Sequence, residues 1–272
     1  MNYICVTCGT QFAESAAPPA ACPLCTDERQ YLPPGGQRWT TLEQLRAEHR
    51  NAFQRLEPNL LGLGTVPQFA IGQRALLIQT PAGNYLWDCL SLVDEATVDL
   101  LNGLGGLRAI AISHPHFYSS MVAWSHAFGR IPVYLHAADR GNIQRPDPVL
   151  HFWDGPTHAL APGLTLVHCG GHFAGSTALH WAAGAEGRGA LLSGDTITVV
   201  PDRRYVSFMR SYPNLIPLDA GTVERVVAAV APYPFDRIYG GWWDRVLDGG
   251  AQAAVQASAA RYVAALRHPP RD

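Results

Sequence analysis

Polar and apolar positions alternate along this chain in short blocks, and the blocks change period several times. Residues 42–50 carry leucines at helical spacing behind Thr40 and Thr41. Thr40 with Glu43, and Thr41 with Gln44, are both possible capping boxes. The helix they open is predicted to run through residue 50 and to stop before Pro58. Runs rich in Leu, Ile and Tyr at 68–71, 74–79 and 85–90 read as strands, with 81–84 as a turn. A helical pattern follows over 94–101 and ends at Asn102-Gly103. Residues 107–112 are an apolar run containing Arg108, read as a buried strand, and 121–128 read as a helix. Further strands are predicted at 131–135, 164–167, 177–181, 190–192 and 235–239. Helices are predicted at 222–230 and 249–266. Strands come in clusters, with helices between and after them. That order predicts an α/β chain of two sheets facing each other with helices outside, an αββα sandwich. No internal repeat is long enough for a solenoid.

Composition narrows the class. Of the 272 residues 47% are hydrophobic and only 15% charged, enough to bury a large core and too apolar for a disordered chain. A net charge of -2 leaves no footprint for nucleic acid or an anionic membrane. No apolar run reaches the roughly 18 residues that a membrane helix needs. The first residues lack the charged-then-apolar form of a secretory signal, so a soluble, cytoplasmic protein is expected.

Four of the six cysteines form two Cys-x-x-Cys pairs, Cys5/Cys8 and Cys22/Cys25. Two such turns complete a four-sulfur shell for a structural Zn²⁺. The alternative, a pair of disulfides, fits a cytoplasmic chain badly. The spacing and Gly9 resemble zinc ribbons and the related rubredoxins, which makes rubredoxin-type iron the second choice of metal. The expected organisation is a ribbon and linker over 1–37, the linker marked by Pro33-Pro34-Gly35-Gly36, and one large domain over 38–272. A segment this short has no core of its own, so the ion supplies its folding energy. Cys89 and Cys169 lie in apolar runs and read as inert buried thiols.

The chemistry centres on residues 113–120, Ser-His-Pro-His-Phe-Tyr-Ser-Ser, where a strand ends and a helix begins. In an extended segment alternate residues point the same way, so His114 and His116 can face one ion. Downstream, a Gly-Gly-His turn carries His172, and the apolar run Leu191-Leu192-Ser193-Gly194 ends at Asp195. Arg237-Ile238-Tyr239 runs into Gly240-Gly241-Trp242.

This order of pieces resembles the metallo-β-lactamase superfamily from about Thr41 to the C-terminus. The resemblance implies an αββα fold with metals at the strand ends. His114 and His116 match the first two histidines of that family's His-x-His-x-Asp-His motif, His172 its Gly-His turn, and Asp195 its bridging carboxylate. Tyr118 and Ser119 stand where the motif has Asp and His, and the late Gly-His has no counterpart. The implied site therefore holds one ion, Zn or Fe, on His114, His116 and His172, with Asp195 as fourth ligand or partner of the bound water. Asp195 and Tyr118 are the implied catalytic groups, Tyr118 alternatively being a filler in the space of the lost second ion. Arg210 is a candidate anion clamp, with a loop salt bridge as its ordinary alternative.

Four functions compete. One is a hydrolase of a small-molecule ester, thioester, lactone or phosphoester. Another is a non-catalytic binding protein whose ribbon docks a protein partner. Nucleic-acid processing is disfavoured by the charge, and redox chemistry would need iron. Among the other histidines, His136 reads as a strand-end residue, His168 as a neighbour of the site, and His180 as a satisfied sheet residue.

Overall fold

The computed structural model describes residues 1–267 and divides them into two units, Met1–Trp153 and Asp154 onward. In the first unit the N-terminal strands β1 (Asn2–Cys5) and β2 (Gln11–Glu14) join β3 (Trp39–Thr41) in a three-stranded sheet of order β2-β1-β3. Thr41 then caps the Leu42–Glu48 helix with a complete capping box to Gln44, one of the two boxes expected. The helix ends two residues short of the expected boundary. His49 closes it on Leu45, and β4 (Arg50–Glu57) begins at once. β4 pairs with β5 (Leu60–Val66), and neither strand is announced by the sequence pattern.

β4 and β5 continue into β6 (Arg74–Thr80) and β7 (Gly83–Trp87) as an antiparallel meander. The expected strand at 68–71 is an irregular turn, with Ala70 and Gly72 both at positive φ. From β7 the sheet turns parallel: β8 (Ala109–Ala111), β9 (Val133–His136) and β10 (Leu150–Trp153) each add one strand, giving the order β10-β9-β8-β7-β6-β5-β4. Parallel pairing requires crossovers, and the Glu95–Gly103 and Met121–Ala127 helices supply two of them. Asp94 caps the first through the Thr97 amide. In open sheets of this kind, sites form beyond the carboxyl ends of parallel strands. The residue 113–120 loop follows β8 at such an end.

The second unit is built on a six-stranded sheet. β11 (Thr157–Ala161), β12 (Leu164–His168), β13 (Thr177–Trp181) and β14 (Ala190–Gly194) run antiparallel in sequence order. Two small hairpins follow, β15 (Thr198–Val199) with β16 (Val206–Ser207), and β17 (Met209–Ser211) with β18 (Ile216–Pro217). β19 (Arg237–Gly240) then lies parallel to β14, and β20 (Val246–Asp248) forms the edge. Every residue of β13 and β14 is buried, which explains the continuous rather than alternating apolar run of β14. The Ala220–Val230 helix buries Val223, Val226 and Val230, one stripe of helical period, into a core with Val167, Leu191, Ile238 and the C-terminal Ala251–Arg267 helix. His172 in the β12–β13 loop and Asp195 after β14 emerge at one end of this sheet.

Candidate functional site

The four ribbon cysteines are all buried and all free thiols. Cys5 Sγ lies 3.6 Å from Cys25 Sγ, and Cys8 Sγ 3.6 Å from Cys22 Sγ. A disulfide needs about 2.05 Å. Four sulfurs at ~2.3 Å around a zinc ion would sit roughly 3.75 Å apart. The spacing therefore excludes the disulfide alternative and fits a tetrahedral ion. Gln37 Nε2 donates to Cys5 Sγ at 3.1 Å, the kind of bond that stabilises a thiolate. Hydrogen bonds from Cys22 and then Cys25 hold Cys5 far below the ordinary thiol range, while its neighbour Cys8 is pushed up. Sharing protons among four crowded sulfurs is what a divalent cation relieves.

In the first unit His114 and His116 are 1% and 2% exposed, with ring centroids 5.3 Å apart. The chain brings them together differently from the extended segment expected. His114 is extended, but Pro115–Phe117 is a 3₁₀ turn, so the second ring is delivered by the turn. Ser113 Oγ sits 2.8 Å from His114 Nδ1, and Phe117 packs on the His114 ring at 4.5 Å. The Ser113 N–H donates to Asp88 Oδ1 at 2.8 Å. Asp88, 2% exposed at the end of β7 and at positive φ, thus fixes the start of the loop. Sequence reasoning missed it. A lone carboxylate after a strand end, Trp87-Asp88, was the available signal.

In the second unit His172 Nδ1 meets Met209 O at 3.2 Å. A carbonyl only accepts, so Nδ1 carries a proton. The lone pair of the neutral ring is then on Nε2, which lies 4.0 Å from Asp195 Oδ2. Both residues are at most 3% exposed. Two acceptors facing each other in a dry setting repel unless a cation or a proton lies between them. Gly171 makes the turn possible: its φ is +88°, and a Cβ there would stand 3.1 Å from Leu218 Cδ1 and 3.3 Å from Val226 Cγ2. Tyr212 donates its hydroxyl to Asp195 O at 2.9 Å, and its ring lies 5.8 Å from His172. Burial, helped by the Asp195 charge, pushes this phenol up, so it stays a donor at neutral pH. No spacing in the sequence pointed to Tyr212.

The remaining residues fall as follows. Tyr118 is 2% exposed and lines a small cavity with Thr10, Gln11, Val122 and Arg145. Burial, then the Asp139 charge, raises its pKa. Arg210 is half-buried on β17, next to the Met209 carbonyl that meets His172. His136 is buried at the end of β9, where Nδ1 accepts the Ala138 N–H and the ring packs edge-on against Trp153. His168 Nε2 donates to Ala174 O and braces the loop around His172. His180 donates to Pro234 O at 2.8 Å, and burial lowers its pKa. Cys89 and Cys169 are pushed up by burial, Cys169 to about 12, so neither thiol is nucleophilic at neutral pH. Among the described residues no helix is long and apolar enough to cross a membrane.

No family model matches the chain. It is 50% identical over 266 residues to YmaE of Bacillus subtilis (strain 168), an uncharacterized protein, covering 97% of this chain and 96% of that one. Solved structures place the fold. The metallo-β-lactamase DIM-1 matches with a TM-score of 0.59 at 12% identity, over 79% of this chain and 98% of that one. VMB-1 matches with a TM-score of 0.59 at 13% identity, over 80% and 98%. A metallo-β-lactamase from Cronobacter sakazakii matches with a TM-score of 0.51 at 19% identity, over 80% and 99%. The chain thus has the metallo-β-lactamase fold expected from its motifs, preceded by a four-cysteine module.

Proposed function

This chain belongs to one family with YmaE of Bacillus subtilis, and on that premise and its fold we propose that it is a metal-dependent hydrolase with a single-ion site. His114, His116 and His172 would hold the ion. Asp195 would serve as fourth ligand or as partner of a water molecule. Three imidazoles and a carboxylate suit Zn²⁺ or iron, and three protein nitrogens with an open position are a known catalytic arrangement. When bound, the ion supplies Lewis acidity and brings the pKa of water toward neutrality.

The chain's own residues do the rest. Met209 O holds the His172 ring in one tautomer, and the Ser113 hydroxyl, 2.8 Å from Nδ1, holds the His114 ring in place. Asp195 accepts the proton of the attacking water and passes it toward the leaving group. Tyr212 keeps the Asp195 backbone in place. Arg210, beside Met209, would pair with a carboxylate or phosphate of the substrate. We assign Tyr118 to packing rather than to the oxyanion, because it lines the cavity shared with Thr10 and Gln11. The substrate class is an ester, thioester, lactone or phosphoester, met in the cytoplasm. The ribbon ion is assigned as structural zinc.

The observation that carries this proposal is the His172–Asp195 pair, two buried acceptors 4.0 Å apart with the imidazole tautomer already set. Metal analysis of protein purified without chelator tests it. Two ions per chain are expected, and His116→Ala should retain only the thiolate-held one. A third ion, or a wild-type chain carrying the ribbon ion alone, would overturn it.

A further inference from the structure

The ribbon is bonded to the loop that carries the histidines. Gln11, the first residue of β2, donates its backbone N–H to Ser119 O at 3.0 Å. Ala13 N–H reaches Gln144 O at 3.0 Å, and Arg145 bonds the Gln11 side chain. On the first cysteine turn, Ser91 Oγ donates to Gly9 O at 2.8 Å. Gly9 permits that approach: its φ is +82°, and a Cβ there would stand 2.3 Å from Ser91 Oγ. Gly9 and Gln11 lie one and three residues after Cys8. Both attachments therefore depend on how that cysteine turn is folded.

The receiving end is strained. Ser119 has φ +46°, in the left-handed region. A non-glycine residue stays there only where its surroundings over-determine it. Three bonds do so here. Ser119 Oγ accepts from Gln73 Nε2 at 2.9 Å and donates to Cys89 O at 3.3 Å. Ser119 O takes the ribbon's Gln11 N–H. Ser119 lies three residues after His116. Outside the cysteine site, the ribbon packs Ile4 against Leu45 and Leu92. Its buried apolar cluster is the four cysteines with Phe12 and Leu24, and Trp39 packs against it, so its core is a metal site.

We infer that occupancy of the four-cysteine site controls the order of the His114–Ser120 loop. An ion there folds the first cysteine turn, which sets β2 and presents the Gln11 N–H, and that bond holds Ser119 and the turn before it. Loss of the ion by chelation releases one of the three bonds on a strained residue. The effect on hydrolysis rests on the single-ion reading above; the coupling itself does not. By linkage, ordering of the loop tightens the ribbon's hold on its ion by the same factor.

The full-length protein loaded with Co²⁺ tests this. Thiolate-to-cobalt absorption reports ribbon occupancy, and a graded chelator titration removes the ion. Hydrogen exchange is followed in peptides covering the loop and the following helix, and in the β5 and β6 strands. Loop exchange is expected to rise about tenfold or more in step with loss of the thiolate band, with β5 and β6 unchanged. Loop protection that survives loss of the band overturns the inference, because the ribbon is then an independent module. Simultaneous loss of β5 and β6 protection also overturns it, since the ribbon then supports the whole unit. The same titration on His116→Ala separates the two proposals. Coupling must persist there. If loop order follows only the ion on the histidines, the inference fails while the single-ion site stands.

Discussion

Tyr212→Phe removes one oxygen and leaves the ring in place, which makes it a clean probe of how Asp195 is held. The lost bond runs from the phenol to Asp195 O at 2.9 Å. Asp195 is 3% exposed, so water does not readily take over the carbonyl. An ordinary hydrogen bond is worth about 1 kcal/mol net, rising to ~1–3 kcal/mol where the surviving partner is left buried. For a chain of this size 1 kcal/mol moves the midpoint by roughly 2–4 °C. The metal-free variant should therefore melt about 2–12 °C lower. The carboxylate hangs from the same residue, 4.0 Å from His172 Nε2. Removing a group that orients a ligand commonly costs ~10–100-fold in metal affinity. Calorimetry of metal-free protein gives the first number. Competition with a zinc dye gives the second, the ribbon ion being recognised by its thiolate absorption in the cobalt form. A variant that melts with wild type and binds zinc equally well at the histidines would refute the positioning role.

Three further outcomes are expected. Gly171→Ala forces a side chain into φ +88° and 3.1 Å from Leu218 Cδ1, so its urea midpoint should fall by an amount worth about 1–3 kcal/mol; an unchanged midpoint would show that the turn relaxes freely. In native protein with the ribbon loaded, Cys89 and Cys169 should resist a thiol reagent at neutral pH and react only after denaturation, because burial keeps both protonated; rapid native labelling of either contradicts this. Burial depresses the His180 pKa in the folded state, so the unfolded chain binds the extra proton. Stability from this group is intact above the ordinary value near ~6.5 and is lost as pH falls through it toward the folded pKa. His180→Asn should flatten that part of the melting-temperature profile, and an identical acid slope in both proteins counts against it.

Legibility followed the range of the forces involved. The 177–181 strand was readable to the residue because all of it is buried and only Thr177 and His180 interrupt its apolar residues. Thr41 announced its helix because a cap is a three-residue matter, and the helix after Asp94 showed itself by its helical spacing. The cysteine pairs were readable because their chemistry dictates their spacing. β4 was not. Arg50-Asn51-Ala52-Phe53-Gln54-Arg55 carries residues common in helices, and only pairing with β5 makes it a strand. Tyr212 was invisible for a related reason: it acts on a residue 17 positions away, through one bond that leaves no local pattern. Asp88 acts on a residue 25 positions away, and only its place just after the Trp87 strand end marked it.

The departures from the family motif have a physical use that the sequence alone hides. Tyr118 and Ser119, standing where the metallo-β-lactamase motif has an Asp and a His, read as losses if the only question is which ligands a second ion would find. In the fold both positions face new work. Tyr118 lines a cavity with Thr10 and Gln11, two ribbon residues. Ser119 gives its carbonyl to Gln11 N–H and its hydroxyl to Gln73 and Cys89 O. A second ion would stiffen this loop through charge and coordination. Here a hydrogen-bonded strand stiffens it, a strand that on the coupling inferred above would depend on an ion in the four-cysteine site. Restoring the motif therefore should not restore a second site. Tyr118→Asp with Ser119→His would bury a carboxylate beside Asp139, whose charge already acts on position 118, and would remove the hydroxyl that Gln73 holds. The double variant should lose stability and still bind two ions per chain, the ribbon's and the histidines'. Three ions in a protein as stable as wild type would show that the loop had kept room for the second one.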